Sequence, residues 1–172
     1  MGVSPETTPL DFAEFERLYP RLRRFAAAVG DRDLDPDDLV QDAVAAMLSA
    51  HRPVLDPEAY LRTTIVRLVS NRRRRFARWR ARLPRLAEAT ETVDTYPSDH
   101  DLLDDLDPRD RAILHLTVVE GRPSDEVAAT LGLSAAAVRQ RAARARKALR
   151  SQLAATTPVS YTHLTLPTTS RV

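Results

Sequence analysis

The sequence predicts an all-α protein made of two small helical domains joined by an acidic flexible linker. Apolar residues recur at helical spacing along most of the chain, and β-branched residues do not alternate with polar ones. Glycine is scarce, 4 of 172 residues, which disfavours a strand-and-turn architecture. The helical pattern lapses between about Pro84 and Asp107, where "EATETVDTYPSDHDLLDD" mixes Thr, Asp and Pro with few apolar residues, and it resumes at Pro108. A chain of this length has room for one ordinary domain or two small ones. The expected division is residues 10–86, a linker at 87–106, a second domain at 107–154, and a tail at 155–172. That tail is rich in Thr and carries no charge before Arg171, so it matches neither domain and is expected to be disordered or non-native.

The first helix is announced by Asp11 as N-cap with Glu14 three residues on. Phe15, Leu18, Leu22, Phe25, Ala26 and Val29 form its apolar stripe, Arg17, Arg21 and Arg24 its wet face, and Gly30 its stop. A second helix begins after Asp35 or Pro36, buries Leu39, Val40, Ala43, Val44, Met47 and Leu48, and ends before Pro53. The third starts near Pro57 and Glu58, turns Tyr60, Leu61, Ile65, Leu68 and Val69 inward, and continues into "SNRRRRFARWRARLPRL". Extending the same stripe lands on Arg72 or Arg73, then Phe76, Trp79 and Leu83, so the two aromatics are expected to pack in the core, the alternative being that they serve as stacking platforms. In the second domain, a helix from Pro108 through Ile113, Leu114, Leu116 and Val118 should stop at Gly121.

Net charge is only +2, but the charges are segregated: residues 72–85 are wholly basic, 94–107 almost wholly acidic, and 139–150 basic again. Lys147 is the only lysine, so nearly all positive charge is guanidinium, which grips phosphate and guanine edges with two prongs. A genome rich in G and C gives the same bias. Cysteine is absent, which excludes a disulfide framework, thiol catalysis and cysteine-ligated zinc. His51, His100, His115 and His163 are scattered without metal-ligand spacing, and Asp35, Asp37 and Asp38 crowd a helix N-terminus, where the helix dipole favours acids anyway. No phosphate loop or serine-nucleophile motif appears. The expectation is a protein without enzymatic activity, cofactor or metal. No apolar run approaches the roughly 20 residues a bilayer span needs, so a cytoplasmic protein without membrane insertion is expected.

The strongest local signal is "RPSDEVAATLGLSAAAVRQRAARARKALR". Ser124 is expected to cap a short helix with Asp125 and Glu126 in its first turn and Val127, Ala128 and Leu131 buried. Gly132 permits a tight turn, Leu133 plugs the corner, and Ser134 caps a second helix. In such a helix-turn-helix the second helix enters the major groove, where arginine forks onto guanine and glutamine onto adenine. The alternative is an ordinary helical hairpin with a solvated basic face. For the arginine run the two readings are a solvated charged face and a surface for single-stranded nucleic acid, which needs guanidiniums and rings together. Composition does not choose between them.

Taken together, "DFAEFERLYPRLRRFAAAVGD", "DPDDLVQDAVAAML", "AYLRTTIVRLVSNRRRR" and the helix-turn-helix segment resemble a bacterial RNA polymerase sigma factor of the extracytoplasmic-function type, over about residues 11–153. The resemblance implies a transcription initiation factor with a sigma-two and a sigma-four domain, whose partners are core RNA polymerase, promoter DNA and an anti-sigma factor. It implies polymerase binding by Asp38, Leu39, Gln41 and Asp42. Minus-ten contacts fall on Arg67, Asn71, Arg72, Arg73 and Arg75. Minus-thirty-five readout falls on Arg139, Gln140 and Arg144, with Ser134, Arg141 and Arg146 on phosphates. The family usually has Asn and Asp where this chain has Arg67 and Asn71, and an aromatic near Met47 and Leu48. The second reading is a stand-alone helix-turn-helix regulator; a nucleic-acid-processing enzyme is a remote third.

Overall fold

A computed structural model describes residues 11–50, 54–82, 103 and 105–156. Pro53, Leu83, most of the expected linker with its acidic block, and residues 157–172 of the tail lie outside these. Six helices form the described fold: α1 (Phe12–Val29), α2 (Pro36–Leu48), α3 (Pro57–Arg82), α4 (Pro108–Leu114), α5 (Ser124–Leu131) and α6 (Ala135–Thr156).

The first three build one lobe. The Asp11 carboxylate accepts the Glu14 amide at 2.6 Å, which satisfies one of the donors that a helix start leaves unpaired. Leu22, Phe25, Ala26 and Val29 then bury completely. Gly30 ends α1 at a close approach: a Cβ there would lie 2.9 Å from the Ala26 carbonyl and 3.2 Å from Leu39. Asp35 caps α2 by accepting the Asp37 amide at 2.8 Å, with Pro36 in the first turn. Tyr19 and Arg23 of α1 in turn donate to the Asp37 carboxylate at 2.6 and 2.8 Å, tying α1 to the start of α2. The bond from Tyr19 is the main cause holding the Asp37 carboxyl below its ordinary range.

The structure departs from the expected pattern in three places. After Leu114 the helix widens to a π turn over His115–Val119, in which the Glu120 amide reaches back to the His115 carbonyl at 3.0 Å. The wider turn shifts the register, so Val118 is 64% exposed instead of continuing the stripe. Leu48 is likewise exposed at the last turn of α2. Ser124 is not the cap of α5; Pro123 occupies that position and Ser124 lies inside the first turn.

The lobes dock through a shared interior. Leu22, Phe25 and Val29 of α1 and Leu61 and Ile65 of α3 form one apolar cluster with Ile113, Leu116, Val127 and Leu131 from the second lobe. A smaller cluster seats Leu106 against Leu114 and Ala145, so the end of the expected linker packs onto the second lobe.

Candidate nucleic-acid interface

The helix-turn-helix forms with the chemistry its sequence specifies. Gly132 adopts φ +63° and its amide returns to the Ala128 carbonyl, closing α5 in the left-handed conformation that favours glycine. Two residues on, the Ser134 hydroxyl accepts the Ala137 amide at 3.2 Å and starts α6. Val138, Ala142 and Ala145 bury one face of α6. Its other face presents Arg139, Gln140, Arg144 and Arg146 to solvent, with Ser134 exposed at the start. Arg141 differs: it is half-buried and pairs with Asp110 at 2.6 Å, which anchors α6 on α4.

The arginine helix divides in the same way. Arg67, Asn71, Arg72 and Arg75 are exposed, and the Asn71 side-chain carbonyl accepts a bond from Arg74 at 2.8 Å. Arg73 is half-buried; it donates to the Leu106 carbonyl at 2.7 Å, and its Nε lies 3.8 Å from Asp31. Phe76 and Trp79 overturn the expectation of burial, being 53% and 58% exposed. Among the described residues the core-packed part of α3 ends at Val69, and the stripe beyond it joins neither apolar cluster. Between α3 and the second lobe lies a cleft of about 530 Å³ whose walls carry Arg67, Arg73, Arg74, Arg109 and Arg141 together with Asp105 and Asp107. Arginines from both expected DNA surfaces therefore share one opening.

On α2, Asp38, Gln41 and Asp42 are exposed at positions three and four apart, hence on one face. Leu39 lies in the core at 5% exposure, so it supports that face from beneath and is not part of the surface.

A polar cluster at the lobe junction escaped the sequence. Arg62 of α3 is fully buried over the Phe25 ring, its guanidinium 2.7 Å from Glu58 and 2.8 Å from Glu120 of the second lobe. Arg122 pairs with the same two carboxylates at 2.6 and 2.9 Å. Burial pushes the Glu120 carboxyl up, but the bond and charge of Arg62, joined by Arg122, outweigh it and hold the group below its ordinary value. His115 sits 3.4 Å from Glu120 and edge-on to Phe25; burial lowers its pKa, against the pull of Glu120. Nearby, Arg111 is buried and bonds the Gly30 carbonyl at 2.7 Å as well as Asp31. The Glu58 and Arg62 pair is visible as an i, i+4 spacing, but nothing local points to Glu120, 58 residues further on.

An arginine-faced helix on one lobe and a helix-turn-helix on the other define an all-helical two-lobe protein with two exposed basic helices. Residues 15–80 match the family described as Sigma-70 region 2, and residues 100–149 the family described as Sigma-70, region 4. The ECF RNA polymerase sigma factor SigJ of Mycobacterium tuberculosis is 32% identical over 159 residues, which cover 83% of this chain and 51% of that protein. The sigma factor RpoE of Bartonella quintana, solved in complex with the anti-sigma factor NepR, has a TM-score of 0.60 at 23% identity, over 85% of this chain and 98% of its own. That second likeness is one of fold. The chain belongs to the sigma-70 family, whose regions 2 and 4 it carries in that order. It spans about half the length of the curated relative it matches. Among the described residues no helix is long and apolar enough to cross a membrane.

Proposed function

We propose that this chain is a transcription initiation factor, which binds core RNA polymerase, directs it to specific promoters and aids their opening. The observation that carries the reading is the presence of region 2 and region 4 in that order on one chain, each with its exposed basic helix. The exposed face of Asp38, Gln41 and Asp42 meets polymerase. Arg67, Asn71, Arg72 and Arg75, with Arg73 once released from Leu106, meet the opened minus-ten strand. Arg139, Gln140 and Arg144 read the minus-thirty-five duplex, and Ser134 and Arg146 hold phosphates; Arg141 joins them only by giving up Asp110. The first domain is residues 10–86, the linker 87–106 and the second domain 107–154, with Leu106 already seated on the second lobe. The factor has no catalytic activity of its own, acts in the cytoplasm, and is masked by an anti-sigma factor, as the RpoE relative is bound by NepR.

Purified chain mixed with core polymerase should co-elute with it and support run-off transcription from a cognate promoter. Failure to bind core polymerase in the absence of any anti-sigma factor would falsify the proposal. A stand-alone regulator would instead shift duplex DNA without polymerase. Asp38→Arg should weaken co-elution about tenfold or more while lowering the circular dichroism melt only slightly, because Asp38 is exposed and its replacement costs the fold no more than its interaction with the start of α2, about 0.3–1 kcal/mol.

A further inference from the structure

We propose that the cleft between α3 and the second lobe is a binding site for a small polyphosphate anion, free or carried by a nucleotide, which bridges the two lobes and holds them docked. Five arginines line the cleft against two carboxylates. Arg67, Arg73 and Arg74 come from α3, Arg109 from α4 and Arg141 from α6. Docking thus gathers cations of both lobes around one space of about 530 Å³, which is within the range of small-ligand pockets.

The protein's own carboxylates leave part of this charge unmet. Asp31 and Asp110 hold Arg73 and Arg141 from behind the walls, at 3.8 and 2.6 Å. Of the two carboxylates in the lining, Asp107 accepts the Arg109 amide at 2.9 Å as the cap of α4, and Asp105 accepts the Gln152 side-chain amide at 2.8 Å. Arg74 donates to the Asn71 side chain at 2.8 Å, and the exposed guanidiniums of Arg67 and Arg109 make no ion pair among the described residues. Like charges gathered around one cleft repel until a counter-ion joins them, and a polyvalent ion meets several at once. Guanidiniums favour phosphate oxygens in particular, which take two parallel N–H bonds from one fork. Because Arg67 belongs to one lobe and Arg109 to the other, such a ligand binds the docked arrangement better than the separated one and shifts the molecule toward it. Under the proposed function, on which this consequence alone rests, the bound anion also withholds Arg67 and Arg73 from the minus-ten strand.

Titration calorimetry of the full chain at fixed ionic strength should give one site for inorganic tripolyphosphate and for ATP without magnesium, each bound at least about tenfold more tightly than sulfate. Tighter binding of ATP assigns the site to a nucleotide; equal or weaker binding assigns it to the phosphate chain alone. Arg67→Gln and Arg109→Gln, on opposite lobes, should each weaken tripolyphosphate at least about fivefold. Arg78→Gln, on the same helix as Arg67 but outside the cleft, should change it less than about twofold. With tripolyphosphate at about 100 times its dissociation constant, the melting temperature should rise by about 5 °C or more, and hydrogen exchange should slow in both α3 and α4. Binding no tighter than that of sulfate, or equal weakening by Arg67→Gln and Arg78→Gln, overturns the site in favour of general attraction to a basic helix. Loss confined to the variant of one lobe overturns the bridge. Core polymerase binding is measured separately, without polyphosphate: a chain that binds polymerase but not tripolyphosphate keeps its function and loses the site, and a chain that binds tripolyphosphate but not polymerase does the reverse.

Discussion

Gly132 shows how one residue can set the geometry of a reading surface. Its φ of +63° is what turns the chain between α5 and α6, and a Cβ there would meet nothing within 4 Å. The cost of Gly132→Ala is therefore conformational alone, about 1–2 kcal/mol, and Gly132→Asn should cost less because Asn tolerates the left-handed region. Chemical denaturation of the three proteins checks that order. Gln140 belongs to the same scale but acts on affinity. It is exposed on α6, so Gln140→Ala should leave the melting temperature unchanged and weaken the cognate minus-thirty-five duplex by about 1–3 kcal/mol, with much less effect on a duplex altered at the contacted base. Equal weakening of all duplexes would assign Gln140 to the backbone.

At the scale of elements, what the sequence discloses is what is local. The Asp11 and Asp35 caps, the α1 stripe and the Gly132 turn each depend on residues a few positions apart, and each forms as its spacing implies. The failures have one cause in common, which is that the deciding neighbour is distant in sequence or missing. Phe76 and Trp79 keep the helical stripe of α3, but burial needs a second surface, and among the described residues neither apolar cluster includes them. Arg62 looks like one more basic residue on a basic helix, yet it is the largest fully buried side chain, because Glu120 arrives from the other lobe to neutralise it. Candidate site residues divide along the same line. Arg139 and Arg72 are exposed, whereas Arg73 and Arg141 are drawn into contacts with Leu106 and Asp110 that their own helices do not reveal. The junction gives the sharpest element-scale prediction. Glu120→Ala leaves Arg62 buried with Glu58 alone and removes a partner from Arg122 and His115, so it should destabilise the docked state by about 3 kcal/mol. Hydrogen exchange in α4 and α5 should rise in that variant. Exchange unchanged from the parent chain would mean that the apolar junction alone holds the lobes.

On the scale of the whole molecule, the docked arrangement and the proposed promoter contacts impose different dimensions. A compact unit of this size has a radius of gyration of about 15 Å, hence a width of about 40 Å. Elements centred near minus ten and minus thirty-five are roughly 25 base pairs apart, about 85 Å at 3.4 Å per pair. The proposed function has one chain read both, which it does only with its lobes apart; that function therefore requires a breakable junction, whose titrating groups give the direction of its pH dependence. His115 has its pKa lowered chiefly by burial, with Arg62 and Arg24 adding to the effect and Glu120 opposing it. An undocked His115 binds a proton near its ordinary value of 6.5, while the docked one resists until lower pH. Protons therefore favour undocking: stability is complete above about pH 7.5, falls as pH drops below about 6.5, and stops falling below the docked pKa. Glu120, held below its ordinary 4.5, contributes stability that persists above that value and is lost as pH falls through its lower docked pKa. Thermal melts of the full chain should therefore be lower at about pH 6 than at about pH 7.5. His115→Gln should reduce that difference, leaving the loss in stronger acid that Glu120 causes. An equal pH dependence in the parent chain and in His115→Gln would show that His115 does not bias the junction.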